Sequence, residues 1–127
     1  MIALLAAALA ASTPNGTFIT EDGTALVRVE PCGTSICGRV SEVLNRAPGI
    51  PRTDVHNPNP KLRARPLVGL PMLGGFIWNG QQWTGGQIYD PKTGRTYRSK
   101  LSVAADGSIV VSGCVLFICQ NQRWRPR

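Results

Sequence analysis

Apolar and polar residues alternate with a period of two along much of this chain. The clearest run follows Gly94, where Tyr97, Ser99, Leu101 and Val103 fall on one face and the residues between them are polar or charged. This period is typical of a half-buried antiparallel strand. Applied along the whole chain, the pattern predicts eight strands, over residues 15–20, 24–31, 36–44, 72–78, 82–89, 95–104, 108–115 and 117–125.

Turn residues separate the predicted strands. Asp22-Gly23, Asn79-Gly80 and Asp106-Gly107 are Asx-Gly pairs, which tolerate the positive φ of two-residue hairpin turns. Eight strands joined in this way predict an all-β fold, an antiparallel up-and-down β-barrel whose closure removes exposed sheet edges. A β-sandwich is the alternative. A barrel of this size is either filled by its own side chains or holds one small ligand.

One long stretch does not alternate. Residues 45–71 hold six of the ten prolines in the chain. Within it, Asn57 followed by Pro58 has the features of a helix N-cap and first helical residue, so we predict a short helix running to about Arg65. Long loops in compact domains often carry function, and this Pro-rich loop is therefore a candidate location for a site.

The start of the chain has the composition of an export signal. Residues 1–11 are nearly all Ala, Leu and Ile, which predicts a signal peptide over 1–11 and one domain over 12–127, periplasmic or secreted. A buried N-terminal helix is the alternative, because no Lys or Arg precedes the apolar run. No later stretch reaches the roughly 20 apolar residues that a membrane-spanning helix needs, so the mature protein is not expected to be transmembrane.

The cysteines form two pairs with identical spacing, Cys32 with Cys37 and Cys114 with Cys119. Four cysteines allow three disulfide connectivities, of which two local bridges are the simplest. A four-thiolate zinc site is the alternative. An oxidising compartment favours disulfides, and the single histidine also argues against zinc, so neither a metal nor a cofactor is predicted.

The net charge is +7, and the basic residues cluster around 52–65, 92–100 and 123–127. A cytosolic protein of this charge would suggest nucleic acid as a partner. Export argues against nucleic acid and points instead to an anionic lipid or polymer of the cell envelope. A solvated surface that keeps the protein soluble is the alternative.

Two blocks of sequence carry a resemblance to a known family. The first runs from Thr53-Asp54-Val55-His56-Asn57-Pro58-Asn59-Pro60 to Val68-Gly69-Leu70-Pro71, and the second is Gly86-Gln87-Ile88-Tyr89-Asp90-Pro91 with Gly94 and Tyr97. Together they resemble a bacterial exported family, domain of unknown function 2147. The resemblance implies a lipocalin-like barrel without an established activity.

The wider calycin group suggests how one end of such a barrel would be closed. Its members open with Gly-x-Trp, and a basic residue from the last strand covers the Trp ring. The matching residues here are Gly16, Thr17 and Phe18. The resemblance therefore implies that Arg123 or Arg125 forms a cation–π contact with Phe18.

Polar residues of the Pro-rich loop form the candidate site. Asp54 and Asn57 readily fix turns, and Arg65 is close enough in sequence to pair with Asp54 across the loop. The functional alternative is that the loop lies at the barrel mouth and presents Arg65 to an anionic head group, which its planar fork binds bidentately. Tyr89 and Tyr97 are either packing residues or hydrogen-bond donors of a pocket.

The sequence carries no recognised catalytic motif. His56 lies two residues from Asp54, but no nucleophile accompanies them, and a solvated loop histidine is the simpler interpretation. We therefore predict an exported binding protein for a small apolar or amphipathic ligand, with an anionic head as one possibility. The alternative is an envelope module that binds anionic lipid or polymer through its basic surface, and the last choice is an unrecognised hydrolase.

Overall fold

The computed structural model describes residues 13–127, so the predicted signal peptide at 1–11 lies outside the described residues. The described residues form eight strands, and each strand boundary lies within one residue of its predicted position. The strands are β1 (Gly16–Ile19), β2 (Ala25–Cys32), β3 (Ser35–Val43), β4 (Pro71–Trp78), β5 (Trp83–Asp90), β6 (Arg95–Val103), β7 (Ile109–Val115) and β8 (Ile118–Pro126).

The strands close into an antiparallel barrel in which each strand pairs with its neighbours in chain order. β1 completes the barrel by pairing with β8, so that Phe18 lies opposite Pro126 and Ile19 lies opposite Arg125. Each of these strands therefore has a partner on both sides, which is the advantage of closure over an open sheet, although the β1–β8 pairing covers only the last two residues of β8. The predicted up-and-down barrel is confirmed, and the alternative β-sandwich is excluded.

The two ends of the barrel differ in how they are filled. Because successive strands run in opposite directions, the β2–β3, β4–β5 and β6–β7 connections lie at one end, here named the floor. The other connections lie at the opposite end, here named the mouth. The large buried side chains Phe76, Trp83 and Trp124 come from the floor halves of their strands. The largest side chains of the apolar core therefore sit at the floor.

The turns differ from the prediction in length. The Asx-Gly pairs lie in connections longer than two residues, over 20–24, 79–82 and 104–108. In the second of these, Asn79 Oδ1 accepts the N–H groups of both Gln81 and Gln82 at 2.9 Å, and an Asx side chain that binds nearby amides favours this wider turn. Two-residue turns occur instead at Gly33-Thr34 and Leu116-Phe117.

Both disulfides are local, Cys32–Cys37 in the β2–β3 hairpin and Cys114–Cys119 in the β7–β8 hairpin. In the part of the chain that the structure describes, no cysteine is free, so no thiolate is left for the alternative zinc site. Bridges that close loops this short stabilise by roughly 2 kcal/mol each in the chain-entropy model. One bridge therefore secures the floor and the other secures the mouth.

A short helix in the Pro-rich loop is confirmed, but it is a single 3-10 turn over Pro60–Leu62 and does not begin after Asn57. The Asn57 side chain closes a turn of its own, since its Oδ1 accepts the Asn59 N–H at 2.8 Å. Asn59 then serves as the N-cap, accepting the Lys61 N–H at 3.1 Å. Over residues 13–127 there is no helix of the length and apolarity needed to cross a membrane.

Candidate functional site

A cavity of about 980 Å³ opens at the mouth of the barrel. Its inner wall is mostly apolar and includes Val40, Met72, Ile88, Tyr97, Gly113 and Trp124. Trp124 is fully buried and closes the cavity toward the floor, with its Nε1–H donated to Gln122 Oε1 at 2.9 Å. The barrel is thus packed at the floor and hollow at the mouth.

Charged side chains surround the entrance to this cavity. The Lys92 ammonium in the β5–β6 turn pairs with Asp22 in the β1–β2 turn, which links two connections at the mouth. Partial burial favours a higher pKa for Asp22, but hydrogen bonds from Lys92, Thr24 and Thr20 outweigh it and hold the pKa below its usual range. Arg95 also lines the entrance and is exposed, and no ion pair engages it among the described residues.

Asp54 is the centre of a polar group that joins the Pro-rich loop to β5, here named the Asp54 cluster (Asp54, Asn57, Arg65 and Tyr89). The Asp54 carboxylate is fully buried. Its Oδ1 accepts the Tyr89 hydroxyl at 2.7 Å, and its Oδ2 accepts Asn57 Nδ2 at 2.8 Å and Arg65 Nε at 3.0 Å. The Arg65 guanidinium completes an ion pair at 2.9 Å. A buried carboxylate is tolerated here because both of its oxygens are hydrogen-bonded and its charge is balanced.

The Asp54 cluster attaches the Pro-rich loop to the barrel. Within the loop, the Asp54 N–H is donated to the Arg65 carbonyl at 3.0 Å, whereas Tyr89 belongs to β5. The loop also packs on the β5–β6 turn at Gly94, where φ is +74° and a Cβ would overlap the carbonyl oxygen of His56. The cluster is therefore an anchor that holds the loop beside the cavity entrance.

Four of the five predicted site residues come together in the Asp54 cluster, and the predicted pairing of Arg65 with Asp54 is confirmed. Tyr97 lies apart on β6, opposite Ile88, where its ring lines the cavity. Tyr89 contributes to the cluster and to the cavity wall. A role for any of these five residues in ligand binding stays a prediction.

Burial raises the pKa of Tyr89 to about 12, and the hydrogen bond to the Asp54 carboxylate contributes to this rise. The neutral phenol donates a hydrogen bond to Asp54, whereas a phenolate would face the carboxylate with a second negative charge. The protonated form is therefore favoured in the folded state relative to the unfolded state, where the ordinary pKa is 10.0.

This shift predicts a pH dependence of stability. Because the folded-state pKa lies above the unfolded-state value, the contribution of Tyr89 is fully present below pH 10 and is lost as the pH rises toward 12. Tyr89→Phe should therefore lower the free energy of unfolding at pH 8 by about 2 kcal/mol, as for a hydrogen bond to a charged group, and by less at pH 11.5. Brief urea unfolding experiments at the two pH values measure the difference. An equal loss of unfolding free energy at both pH values would contradict the assignment of the pKa shift to Tyr89.

His56 lies at the cavity entrance with an exposed side chain. No hydrogen bond joins it to Asp54 within the described residues, and the Asp54 oxygens are already occupied by Tyr89, Asn57 and Arg65. The Asp–His pair on which the hydrolase hypothesis depends is therefore not formed.

The cation–π contact implied for Phe18 is also not formed. Trp124 is buried in the barrel, and strand alternation turns its neighbours Arg123 and Arg125 to the exposed outer face. Arg123 pairs there with Asp106 at 3.5 Å. Phe18 is buried in the apolar core, and among the described residues a cation–π contact joins Arg65 to Tyr89 and not an arginine to Phe18.

The apolar end of the β7–β8 hairpin, residues 115–118 and here named the tip, was not predicted from the sequence. Its side chains are 59 to 93% exposed, and Val115 and Ile118 lie at the cavity entrance. The sequence does contain a signal for the tip. The residues between Cys114 and Cys119 are Val-Leu-Phe-Ile, and none of them is a usual turn residue.

Known proteins resemble this barrel in sequence and in structure. A family model described as "Uncharacterized protein conserved in bacteria (DUF2147)" matches residues 16–125. The structure is similar to that of protein HP1028 from Helicobacter pylori, described as belonging to the lipocalin family. The TM-score is 0.78 and the sequence identity 20%, over 89% of this chain and 82% of that chain. No curated protein matches. At this identity the structural likeness shows the fold, whereas the family match spans nearly the whole barrel. The chain therefore belongs to the DUF2147 family, and its fold is a lipocalin-like β-barrel.

Proposed function

We propose that this protein binds one small amphipathic molecule, with the apolar tail inside the barrel and an anionic head group at the mouth. The observation that carries the proposal is the cavity of about 980 Å³ with its apolar inner wall. Its size falls at the upper end of the range usual for small-molecule sites, about 300 to 1,000 Å³. The lipocalin-like fold supports the same class of function.

The apolar wall supplies the affinity in this proposal. Each CH₂ group of a tail that leaves water for the cavity contributes about 0.8 kcal/mol. Val40, Met72 and Ile88 form the sides, and the Trp124 ring sets the depth to which a tail can enter. The site therefore selects for length and apolar character of the tail.

Arg95 is the side chain best placed to hold the head group. It lies at the entrance, and no ion pair engages it among the described residues. Lys92 is already shared with Asp22, and Arg65 with Asp54. A guanidinium binds a carboxylate or phosphate through two parallel hydrogen bonds, so an acidic head group is expected at Arg95.

The proposal places this binding outside the cytoplasm. Two disulfides support that location, because disulfides persist in oxidising compartments and are rare in the cytosol. The predicted signal peptide leads to the same compartment, periplasmic or secreted.

The cavity can be filled by a single substitution, Gly113→Leu. A Cβ at Gly113 would lie 3.7 Å from Tyr97 Cβ and 3.9 Å from Ile88 Cγ2, so a larger side chain enters the cavity without a backbone clash. We expect the affinity for a fluorescent fatty acid to fall at least about tenfold, which corresponds to 1.4 kcal/mol. A fluorescence titration measures the dissociation constant of each variant.

Gly74→Leu is the matched control, since a Cβ there meets nothing within 4 Å and Gly74 does not line the cavity. It should bind the probe as the native protein does. Arg95→Gln should weaken binding of the fatty acid but not binding of the fatty alcohol of the same length. Undiminished binding by Gly113→Leu would refute the cavity as the site.

The alternative function is binding of anionic lipid or polymer by the basic surface, which the net charge of +7 supports. The dependence of binding on ionic strength distinguishes binding in the cavity from binding at the basic surface. Binding through surface charges weakens strongly as salt is raised, because the Debye length falls from about 10 Å at 0.1 M to about 3 Å at 1 M. Binding dominated by a buried tail should change little over that range.

A further inference from the structure

The tip projects four consecutive apolar side chains into solvent. Val115, Leu116, Phe117 and Ile118 are 59, 71, 93 and 70% exposed. The Cys114–Cys119 disulfide joins the two strands directly below them, where these cysteines are also paired in register. The exposed apolar group is thus held on a short, covalently closed hairpin.

The β2–β3 hairpin provides an internal comparison for this turn. It too has a two-residue turn beside a Cys-x₄-Cys disulfide, and its first turn residue, Gly33, has φ of +64° and is followed by Thr34. Leu116 holds the equivalent position with φ of +55°. This conformation is easy for glycine and costly for a residue with a Cβ. The tip therefore keeps large apolar residues where the backbone alone would favour Gly-Thr, and such an outlier points to function.

Apolar exposure continues from the tip around the mouth. Val115 and Ile118 line the cavity entrance, as do Ile50 and Val55 of the Pro-rich loop, which are 36 and 42% exposed. The apolar surface is thus not isolated on one hairpin, because it reaches the cavity opening from two connections.

Cations accompany the apolar tip. Arg98 donates from Nη2 to the Leu116 carbonyl at 2.6 Å, which places its guanidinium directly beside the turn. Arg95 lies at the entrance itself, as does Lys92, whose charge is shared with Asp22. Apolar side chains flanked by cationic ones favour interfacial membrane binding, since the cations attract anionic head groups.

We propose that the tip inserts into a lipid bilayer that carries anionic head groups, so that the mouth of the barrel faces the membrane. A bilayer accepts a convex projection without any complementary surface. A stable protein interface, in contrast, needs about 800 Å² of complementary surface from each partner, whereas the tip offers four projecting side chains.

Docking of this kind would also affect ligand exchange. This consequence rests on the proposed function. With the mouth against the membrane, an apolar tail passes between bilayer and cavity with little exposure to water. The docking itself does not depend on the cavity. A protein that binds vesicles but no free fatty acid would refute the proposed function and leave the docking intact.

Vesicle flotation tests the docking. The variant carries two substitutions, Leu116→Gly and Phe117→Thr, which together copy the turn of the β2–β3 hairpin. We expect the native protein to float with phosphatidylcholine vesicles containing phosphatidylglycerol, and the variant to bind at least about tenfold more weakly. The variant should unfold at the same urea concentration or higher, because glycine relieves the positive φ. Equal flotation of the two proteins, or none by the native protein, would overturn the proposal.

Two further measurements distinguish insertion of the tip from adsorption on the head groups and from self-association. In a Phe117→Trp variant, lipids brominated on their acyl chains should quench more fluorescence than in the native protein, and equal quenching would overturn insertion. Sedimentation velocity without lipid should show the native protein and the double variant with the same molecular mass. If only the native protein dimerises, the tip binds a second copy of the chain and the membrane proposal is wrong.

Discussion

Replacing Arg65 with methionine is expected to lower the free energy of unfolding by about 3 to 5 kcal/mol, because it leaves a buried charge unpaired. Methionine keeps much of the aliphatic length of the arginine but removes the guanidinium. The Asp54 carboxylate, whose side chain has no exposed area, then loses its counter-charge. Urea unfolding at neutral pH, followed by tryptophan fluorescence, measures the loss.

Arg46 provides the matched control for this substitution. Its ion pair with Glu42 spans 3.2 Å, but the two side chains are 71 and 45% exposed, so water stabilises both charges when the pair is broken. Arg46→Met is therefore expected to cost less than about 1 kcal/mol. The difference between the two variants isolates the effect of burial from the effect of losing an arginine.

A second substitution identifies the source of the loss. Asp54→Asn added to Arg65→Met removes the unpaired charge and keeps an oxygen that can accept the Tyr89 hydroxyl. The double variant should be more stable than Arg65→Met alone. If it is no more stable, the buried charge is not the cause. If Arg65→Met unfolds like the native protein but no longer binds the fluorescent fatty acid, Arg65 is a ligand residue and not an anchor.

Gly86→Ala is expected to lower the free energy of unfolding by up to about 3 kcal/mol through overpacking. A Cβ at Gly86 would lie 2.5 Å from both Cγ and Cε1 of Phe76. That ring is fully buried in the floor core, so it cannot turn away into solvent. The glycine is therefore required by the close approach of an aromatic ring and not by its backbone conformation.

The neighbouring strand offers a control for Gly86. Gly74→Ala introduces a Cβ that meets nothing within 4 Å and should leave stability unchanged or raise it slightly. Phe76→Leu in the Gly86→Ala background should restore part of the loss, because the smaller side chain makes room for the methyl group. Additive losses from Gly86→Ala and Phe76→Leu would show that the two residues do not compete for the same space.

The strands were predictable from sequence because the alternation of side chains is a local property. In β6, Ser99 and Leu101 are buried and their neighbours Arg98 and Lys100 are exposed, as their order in the chain indicates. The turns were less predictable. At Asn79 the side chain binds two following amides, and this competes with the two-residue turn that an Asn-Gly pair otherwise favours.

The site was predictable only where its parts are close in sequence. Asp54 and Arg65 belong to one loop, and their pairing followed from that proximity. The bond from Tyr89 to Asp54 joins a strand to this loop and depends on the finished barrel. The cavity is harder still to predict, because it depends on how the inward side chains of all eight strands fill a common volume. The small size of Gly113 at the mouth and the bulk of Trp124 below it become meaningful only in three dimensions.

The seam between β1 and β8 is the strand pairing that joins residues farthest apart in the chain. Every other strand pair joins neighbours in the chain, whereas Phe18 must meet Pro126 from the opposite end. Contacts between distant residues form late and slowly. A chain whose other strands have paired before β1 meets β8 would be an open sheet with two unpaired edges, the form most exposed to aggregation. Both disulfides lie within single hairpins, so they can form before the seam closes, and oxidised cysteines alone do not show that folding is complete.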